Sequence, residues 1–298
     1  MSRLRNGQVL RDRYQVLSLL GQGSFATVYL TNDQKWRGNL VALKEIPTGH
    51  FSEKEYAVFN AQFLQEAAFL MRLSHPGLPR VVEFFAEKQN YYLALEWVPG
   101  HTLEHEVKER GVAVSEPEVL DWGLQLAEVL RYLHSQKPYP VLLGDLKPAN
   151  VVVDYQNKLR VIDFGVARYA APQQDREYAL VSPGYSPPEQ YQAGRLDERC
   201  DVYSLGATLW WCLQPTALER YRFDIPSIRN SRPELTPALD AFLQTCLQSE
   251  RGRRFQGADH VIRELRGVQQ AASVRQVQTS PSEILSALYR DQKKKFDF

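Results

Sequence analysis

The chain has 298 residues, room for one large domain or two units sharing a core, and its composition, 44% hydrophobic and 24% charged with 17 glycines and 17 prolines, is that of an ordinary globular protein. These values exclude a disordered chain, a collagen-like repeat and a coiled-coil rod. Lys and Arg number 36 against 35 Asp and Glu, so the formal charge of +1 carries no global basic footprint for nucleic acid.

The N-terminus, Met1 to Gly7, has basic residues but no apolar run behind them, so it does not read as a secretory signal. Five short runs rich in β-branched and aromatic residues follow: Tyr14 to Leu20, Thr27 to Leu30, Leu40 to Lys44, Val81 to Phe85 and Tyr91 to Leu95. They predict a five-stranded antiparallel sheet. Between the third and fourth, Phe59, Phe63, Ala67 and Leu70 recur at helical spacing, which predicts one helix over 55–73.

After Val98-Pro99-Gly100 the period changes to helical stretches at Glu116 to Ser135, Cys200 to Leu213, Pro237 to Leu247 and Ala258 to Leu265. Two apolar runs, Val151 to Val153 and Leu159 to Ile162, lie between the first two of these and carry Asp or Asn beside them. The longest apolar stretch, Val202 to Leu213, falls short of the ~20 residues that span a bilayer. Cys200, Cys212 and Cys246 are widely spaced with no CxxC pair and read as buried free thiols, so a soluble cytoplasmic protein with no transmembrane segment is expected. Beyond Gly267 the chain turns polar, and Ser280-Pro281-Ser282-Glu283 presents a capping box that predicts a helix over 281–294 with Ile284, Leu285, Leu288 and Tyr289 on one face.

Four features carry chemistry. Gly21-Gln22-Gly23-Ser24-Phe25-Ala26-Thr27-Val28 lies between two strands, where backbone amides of a glycine-rich flap can approach phosphates; taken alone it reads better as a two-glycine hairpin turn. Lys44 closes the apolar strand Val41-Ala42-Leu43, and Glu66 on the predicted helix is a carboxylate able to orient it; singly they read as a snorkelling lysine and a solvated glutamate. Asp145, Lys147, Asn150 and Asp163 fall within 19 residues. Asp145 suits a proton acceptor, Asn150 and Asp163 are hard oxygen ligands for Mg²⁺, and Lys147 can neutralise a phosphoryl group. Two capped turns explain Asp163-Phe164-Gly165 alone but not the ordered set.

In that order and spacing, from Tyr14 to Gly267, the chain resembles the protein kinase family. Leu20-Gly21-Gln22-Gly23, Asp145-Leu146-Lys147-Pro148-Ala149-Asn150, Pro183 to Tyr191 and Asp201 to Gly206 are similar to bacterial Ser/Thr kinases in particular. The resemblance implies an α+β bilobal fold, with a small antiparallel-sheet lobe over 14–98 and a larger, mainly helical lobe over 99–267, preceded by an extension over 1–13 and followed by a tail over 268–298. It implies ATP and Mg²⁺, with Mn²⁺ as an alternative metal, and a protein substrate carrying the acceptor Ser or Thr.

The family's known roles then fall on Gly21, Gln22, Gly23, Ser24, Val28 and Ala42 around the nucleotide, and on Lys44 at its phosphates with Glu66 as partner. Leu95 is the gatekeeper, with the backbone of Glu96 and Val98 at adenine. The same resemblance implies that Asp145 is the catalytic base, assisted by Lys147, that Asn150 and Asp163 hold the metal, and that Ser182 selects the hydroxyl acceptor. Glu189 is expected to pair with Arg254, and Asp201 to brace the catalytic loop.

The chain departs from the family at Leu143-Gly144, where His-Arg is usual, and Ala26 replaces a third flap glycine. Gly144 removes the arginine that would receive an activation-loop phosphate, and 166–181 contains no Ser or Thr, only Tyr169 and Tyr178 as hydroxyl residues. Activity independent of loop phosphorylation is therefore expected. The same departures motivate the alternative of a nucleotide-binding pseudokinase scaffold; a small-molecule phosphotransferase is disfavoured by Ser182 and the Pro183 to Glu189 segment. The tail helix over 281–294 is either self-docking, a regulatory-partner element, or a flexible end.

Overall fold

The computed structural model describes residues 4–23, 26–36, 38–47, 70–87, 90–163, 168–169, 181–192 and 195–278. Two compact units divide them: Met1–Glu106 with Ala149–Arg168, and Val107–Pro148 with Tyr169–Phe298.

In the first unit, β1 (Val9–Leu10), β2 (Tyr14–Gln22), β3 (Thr27–Asp33), β4 (Asn39–Pro47), β5 (Val81–Glu87) and β6 (Asn90–Glu96) form one antiparallel sheet in the order β1-β2-β3-β4-β6-β5. The five expected strands are present and the count is corrected to six. β1 has only two residues, too few for a period to register, and its turn uses Arg11 and Asp12 at φ 51° and 50° where a glycine or asparagine would have signalled a hairpin. Period two decides what each face carries. Tyr29, Leu43 and Ala94 stand in register and join Leu10, Tyr14, Val16, Val41, Phe85 and Tyr92 in one buried cluster. Phe85 stacks between Tyr14 and Tyr92, with ring centroids 5.6 and 5.1 Å away.

Polar groups inside this face are matched. Arg13 forks onto Asp33 at 2.8 and 2.6 Å and reaches Glu83 at 2.8 Å. Burial alone would raise the Asp33 pKa, but the hydrogen bonds from Arg13 and the Lys35 backbone outweigh it and hold the carboxyl below its usual range. Buried Glu45 accepts from the hydroxyls of Tyr92 and Tyr29 and from the Asn90 amide. The helix expected over 55–73 lies outside the described residues except at 70–73, where Leu70 and Leu73 are buried.

A second, small sheet in the same unit joins β7 (His101–Thr102), β9 (Val151–Val153) and β10 (Leu159–Val161) in the order β10-β9-β7. Asp154 closes the β9–β10 hairpin, its Oδ1 accepting the N–H of Gln156 and of Lys158, with Asn157 at φ 59°. This pairing is why 149–168 groups with the first unit. Gly100 leads into β7 at φ 127°, and a Cβ there would stand 2.1 Å from the Val153 carbonyl oxygen. Gly100→Ala should therefore destabilise the protein by more than about 1 kcal/mol, read as a lower urea midpoint; an unchanged midpoint would mean the strand can move aside without cost.

The second unit is helical: α1 (Leu103–Glu109) enters it, and α2 (Glu116–His134), α3 (Arg199–Leu213), α4 (Pro237–Cys246) and α5 (Ala258–Gln278) build it around β8 (Val141–Leu142). α3 is buried on every side from Cys200 to Leu213, which explains why apolar residues dominate it all round, with Asp201, Ser204 and Thr208 as buried polar exceptions. α2 and α4 begin as their sequences require, each with proline in the first turn, and Thr236 caps α4 by accepting the Leu239 N–H. α5 runs to Gln278, well beyond the expected end at Leu265: Gly267 does not stop it, because a glycine inside a helix costs only about 1 kcal/mol and α5 packs on α2 and α4. The three cysteines are free and buried, and burial pushes each thiol well above its ordinary range. The helix expected over 281–294 lies outside the described residues. Among those described, no helix is long and apolar enough to cross a membrane.

Candidate active site

In the first unit, strand register gathers the nucleotide candidates on the sheet face opposite the buried cluster. Val28 pairs with Lys44, which pairs with Leu93; Leu30 pairs with Ala42, which pairs with Leu95. Gly21 and Gln22 lie opposite Val28 and Thr27 at the end of β2, and the Gly23 N–H closes the turn on the Ala26 carbonyl at 2.8 Å. Ser24 lies outside the described residues, as does Glu66.

Lys44 Nζ donates to Asp163 Oδ1 at 2.6 Å, with the lysine side chain mostly buried and the carboxylate half-exposed. The β9–β10 hairpin explains how Asp163 and Asn150 come together. Val151 pairs with Val161, and one step further out the Ile162 N–H donates to the Asn150 carbonyl at 2.9 Å, so an amide and a carboxylate leave the same open end of the hairpin. Two hard oxygen donors at one hairpin end suit Mg²⁺ or Mn²⁺ better than a soft ion. Glu96, at the end of β6, gives its N–H to the Arg80 carbonyl at 2.8 Å, while its carboxylate meets Arg80 and Arg160; Val98 is buried beside it.

In the second unit, three side chains converge. Ser182 Oγ donates to Asp145 Oδ1 at 2.5 Å, and Lys147 Nζ donates to Asp145 Oδ2 at 2.8 Å and to Ser182 Oγ at 2.7 Å. A carboxylate beside a cation and a hydroxyl is equipped to accept a proton from an alcohol while the cation offsets developing charge.

The backbone before Asp145 is clamped. Asp201, fully buried on α3, accepts the Leu143 N–H at 2.9 Å and the Gly144 N–H at 2.8 Å, and His134 Nε2 lies 2.9 Å from the same carboxylate. Gln190 Nε2 donates to the Gly144 carbonyl at 2.8 Å. Leu143 is fully buried, and Gly144 sits at φ 76°, a conformation that strains any side-chain-bearing residue. Gly144 therefore also relaxes the turn that presents Asp145. Behind this segment Glu189 is held by Arg254 through two hydrogen bonds of 2.6 and 2.9 Å.

A family model described as the protein kinase domain matches residues 14–264. The chain belongs to the protein kinase family. Among curated relatives of this kinase chain, the serine/threonine-protein kinase PknA of Nostoc sp. is 34% identical over 226 residues, covering 71% of this chain and 39% of the relative. The serine/threonine-protein kinase B of Synechocystis sp. is 31% identical over 221 residues, covering 70% and 38%. The kinase chain thus spans about two fifths of the length of these relatives. Among solved structures, the Mycobacterium tuberculosis PknI kinase domain shares the fold with a TM-score of 0.69 at 23% identity, over 89% of this chain and all of that one. The α+β protein kinase fold expected from the motifs is thereby confirmed.

Two residues that hold the segment around Asp145 carried no signal in the sequence. His134 closes a helix whose apolar period made it look like a filler, and its partner Asp201 is 67 residues away. Gln190 carried no signal beyond its place next to Glu189. His134 meets the Asp201 carboxylate and Gln190 donates to the Gly144 carbonyl, so nothing in the type or spacing of either residue announces its role.

Proposed function

We propose that the chain is an ATP-dependent protein serine/threonine kinase whose activity does not require phosphorylation within 166–181. The observation that carries the reading is the triangle of Asp145, Lys147 and Ser182, a carboxylate with a cation and a hydroxyl bonded to it, which supports a role for Asp145 in accepting the proton of an acceptor hydroxyl. Asp145 takes the proton of the acceptor hydroxyl as the acceptor oxygen bonds to the γ-phosphorus of ATP and the bond from that phosphorus to the β,γ-bridging oxygen breaks, releasing ADP; Lys147 offsets charge on the transferring group, and Ser182 selects a Ser or Thr acceptor. Lys44 orients the α- and β-phosphates, with Glu66 as its partner on the family pattern, beneath the flap of Gly21, Gln22, Gly23, Ser24 and Val28. Ala42, Leu95 and the backbone of Glu96 and Val98 receive adenine.

Asn150 and Asp163 are the residues that would hold Mg²⁺, which when bound neutralises phosphate charge. Their oxygen-only donor set supports that assignment, and the Asp163 carboxylate, which accepts from Lys44 through Oδ1, is a charged group of the kind a divalent cation prefers. Independence from loop phosphorylation is supported by Gly144, which offers no cation for a phosphate, and by Asp201, which clamps the loop backbone directly. The kinase domain is read as 14–267 with 268–298 as a tail, and the buried free thiols favour a reducing, cytoplasmic compartment.

Phosphatase-treated protein should transfer labelled phosphate from Mg·ATP to itself or to a generic protein substrate, and Asp163→Ala should abolish the transfer. Transfer that appears only after phosphorylation in 166–181 would overturn the independence. Binding of Mg·ATP with no transfer to any protein would overturn the enzyme and establish the scaffold reading.

A further inference from the structure

Two histidines lie apart from the kinase residues, on the chain that leaves Gly100. His101 belongs to β7, where its backbone is paired with Val153 of β9, and His105 lies in the first turn of α1. Thr102 Oγ1 accepts the His105 N–H at 3.2 Å, so the backbone joining the two is held by a strand at one end and a helix cap at the other. Their rings stand with centroids 4.6 Å apart at a tilt of 42°. Both side chains are exposed, and neither ring forms a hydrogen bond or ion pair with another described residue.

We propose that His101 and His105 form a two-imidazole chelate for a divalent transition-metal ion of the Zn²⁺, Ni²⁺ or Cu²⁺ class. Metal–nitrogen bonds of about 2.0–2.1 Å let one ion bridge two rings this close, and nitrogen donors select such ions over Mg²⁺, which takes oxygen. The first turn of α1 carries Glu104 and Glu106, whose negative charge favours a cation there. No group of three or more His, Cys, Asp or Glu side chains is placed to hold a metal among the described residues, so water fills the ion's remaining positions. The backbone is already ordered around both rings, which removes much of the entropy cost that defeats a flexible pair. The site is chemically separate from Asn150 and Asp163: those residues offer only oxygen, and these two only nitrogen.

Titration calorimetry of the full chain with ZnCl₂ and with NiCl₂, in buffer containing excess MgCl₂, tests the assignment. The parent should show a binding step that is lost in His101→Gln and in His105→Gln, while both variants keep the parent's unfolding midpoint in metal-free buffer. Zn²⁺ should raise the midpoint of the parent only. Equal binding by the parent and both variants, or displacement of Zn²⁺ by Mg²⁺, would overturn the chelate.

Discussion

Asp145→Asn should lower the rate of phosphate transfer by about 10²–10⁴-fold, the range that a positioned general base contributes. The substitution keeps size and planarity, so the hydrogen bond from Ser182 to Oδ1 at 2.5 Å can persist. It removes the negative charge, and with it the ability to accept a proton at neutral pH. It also turns an amide N–H₂ toward Lys147 Nζ, whose contact with Oδ2 is 2.8 Å in the parent. The loss should appear in kcat with KM for ATP nearly unchanged, because the nucleotide-side candidates Lys44 and Asp163 are untouched. A variant with parental kcat would show that Asp145 is not the base and that positioning alone accounts for transfer.

Arg254→Met should cost about 3–5 kcal/mol of stability, the range for removing one partner of a buried ion pair. The Arg254 side chain is 0% exposed, so its interactions are exchanged for nothing when it is removed. It donates to both oxygens of Glu189, to the carbonyls of Gln248, Ser249 and Arg199, and lies over the Tyr203 ring at 5.0 Å. Methionine fills most of the volume and satisfies none of those acceptors. The change should read as a large drop in the denaturant midpoint. Glu189→Gln combined with Arg254→Met should recover part of the loss, since the stranded charge is then gone. A midpoint within a few tenths of a kcal/mol of the parent would mean that water replaces the guanidinium without penalty. Activity should fall with stability, because Gln190, next to Glu189, holds the Gly144 carbonyl and so the loop that presents Asp145.

The residues proposed to carry the chemistry were legible because their spacing is local. Asp145, Lys147 and Asn150 sit on one loop, and Asp163 follows one hairpin later; the β9–β10 turn, with Asp154 as its closing residue, is all that is needed to bring Asn150 and Asp163 to one end. The five longer strands and four of the helices were legible for the same reason, since each carries its own period. β1 was not, because two residues have no period and its turn uses Arg11 and Asp12 in the left-handed region. α1 and the far end of α5 were not, because one is a short helix with few apolar positions and the other passes through a glycine whose cost is offset by packing.

Sequence alone determined the family, the order of the chemical groups, and the two departures on which the proposed independence from loop phosphorylation rests, Gly144 and the hydroxyl-poor segment over 166–181. Those are properties of residue type at a given position, and they need no neighbour to be read. The tertiary structure decided how the groups are held. Only folding shows that Asp201 clamps two backbone N–H groups with His134 beside it, that Gly144 occupies a positive φ, that Lys44 rests on Asp163, and that two histidine rings come within 4.6 Å. Each of these rests on backbone conformation or on partners set by packing, and a sequence specifies such contacts only through the fold that satisfies all of them at once.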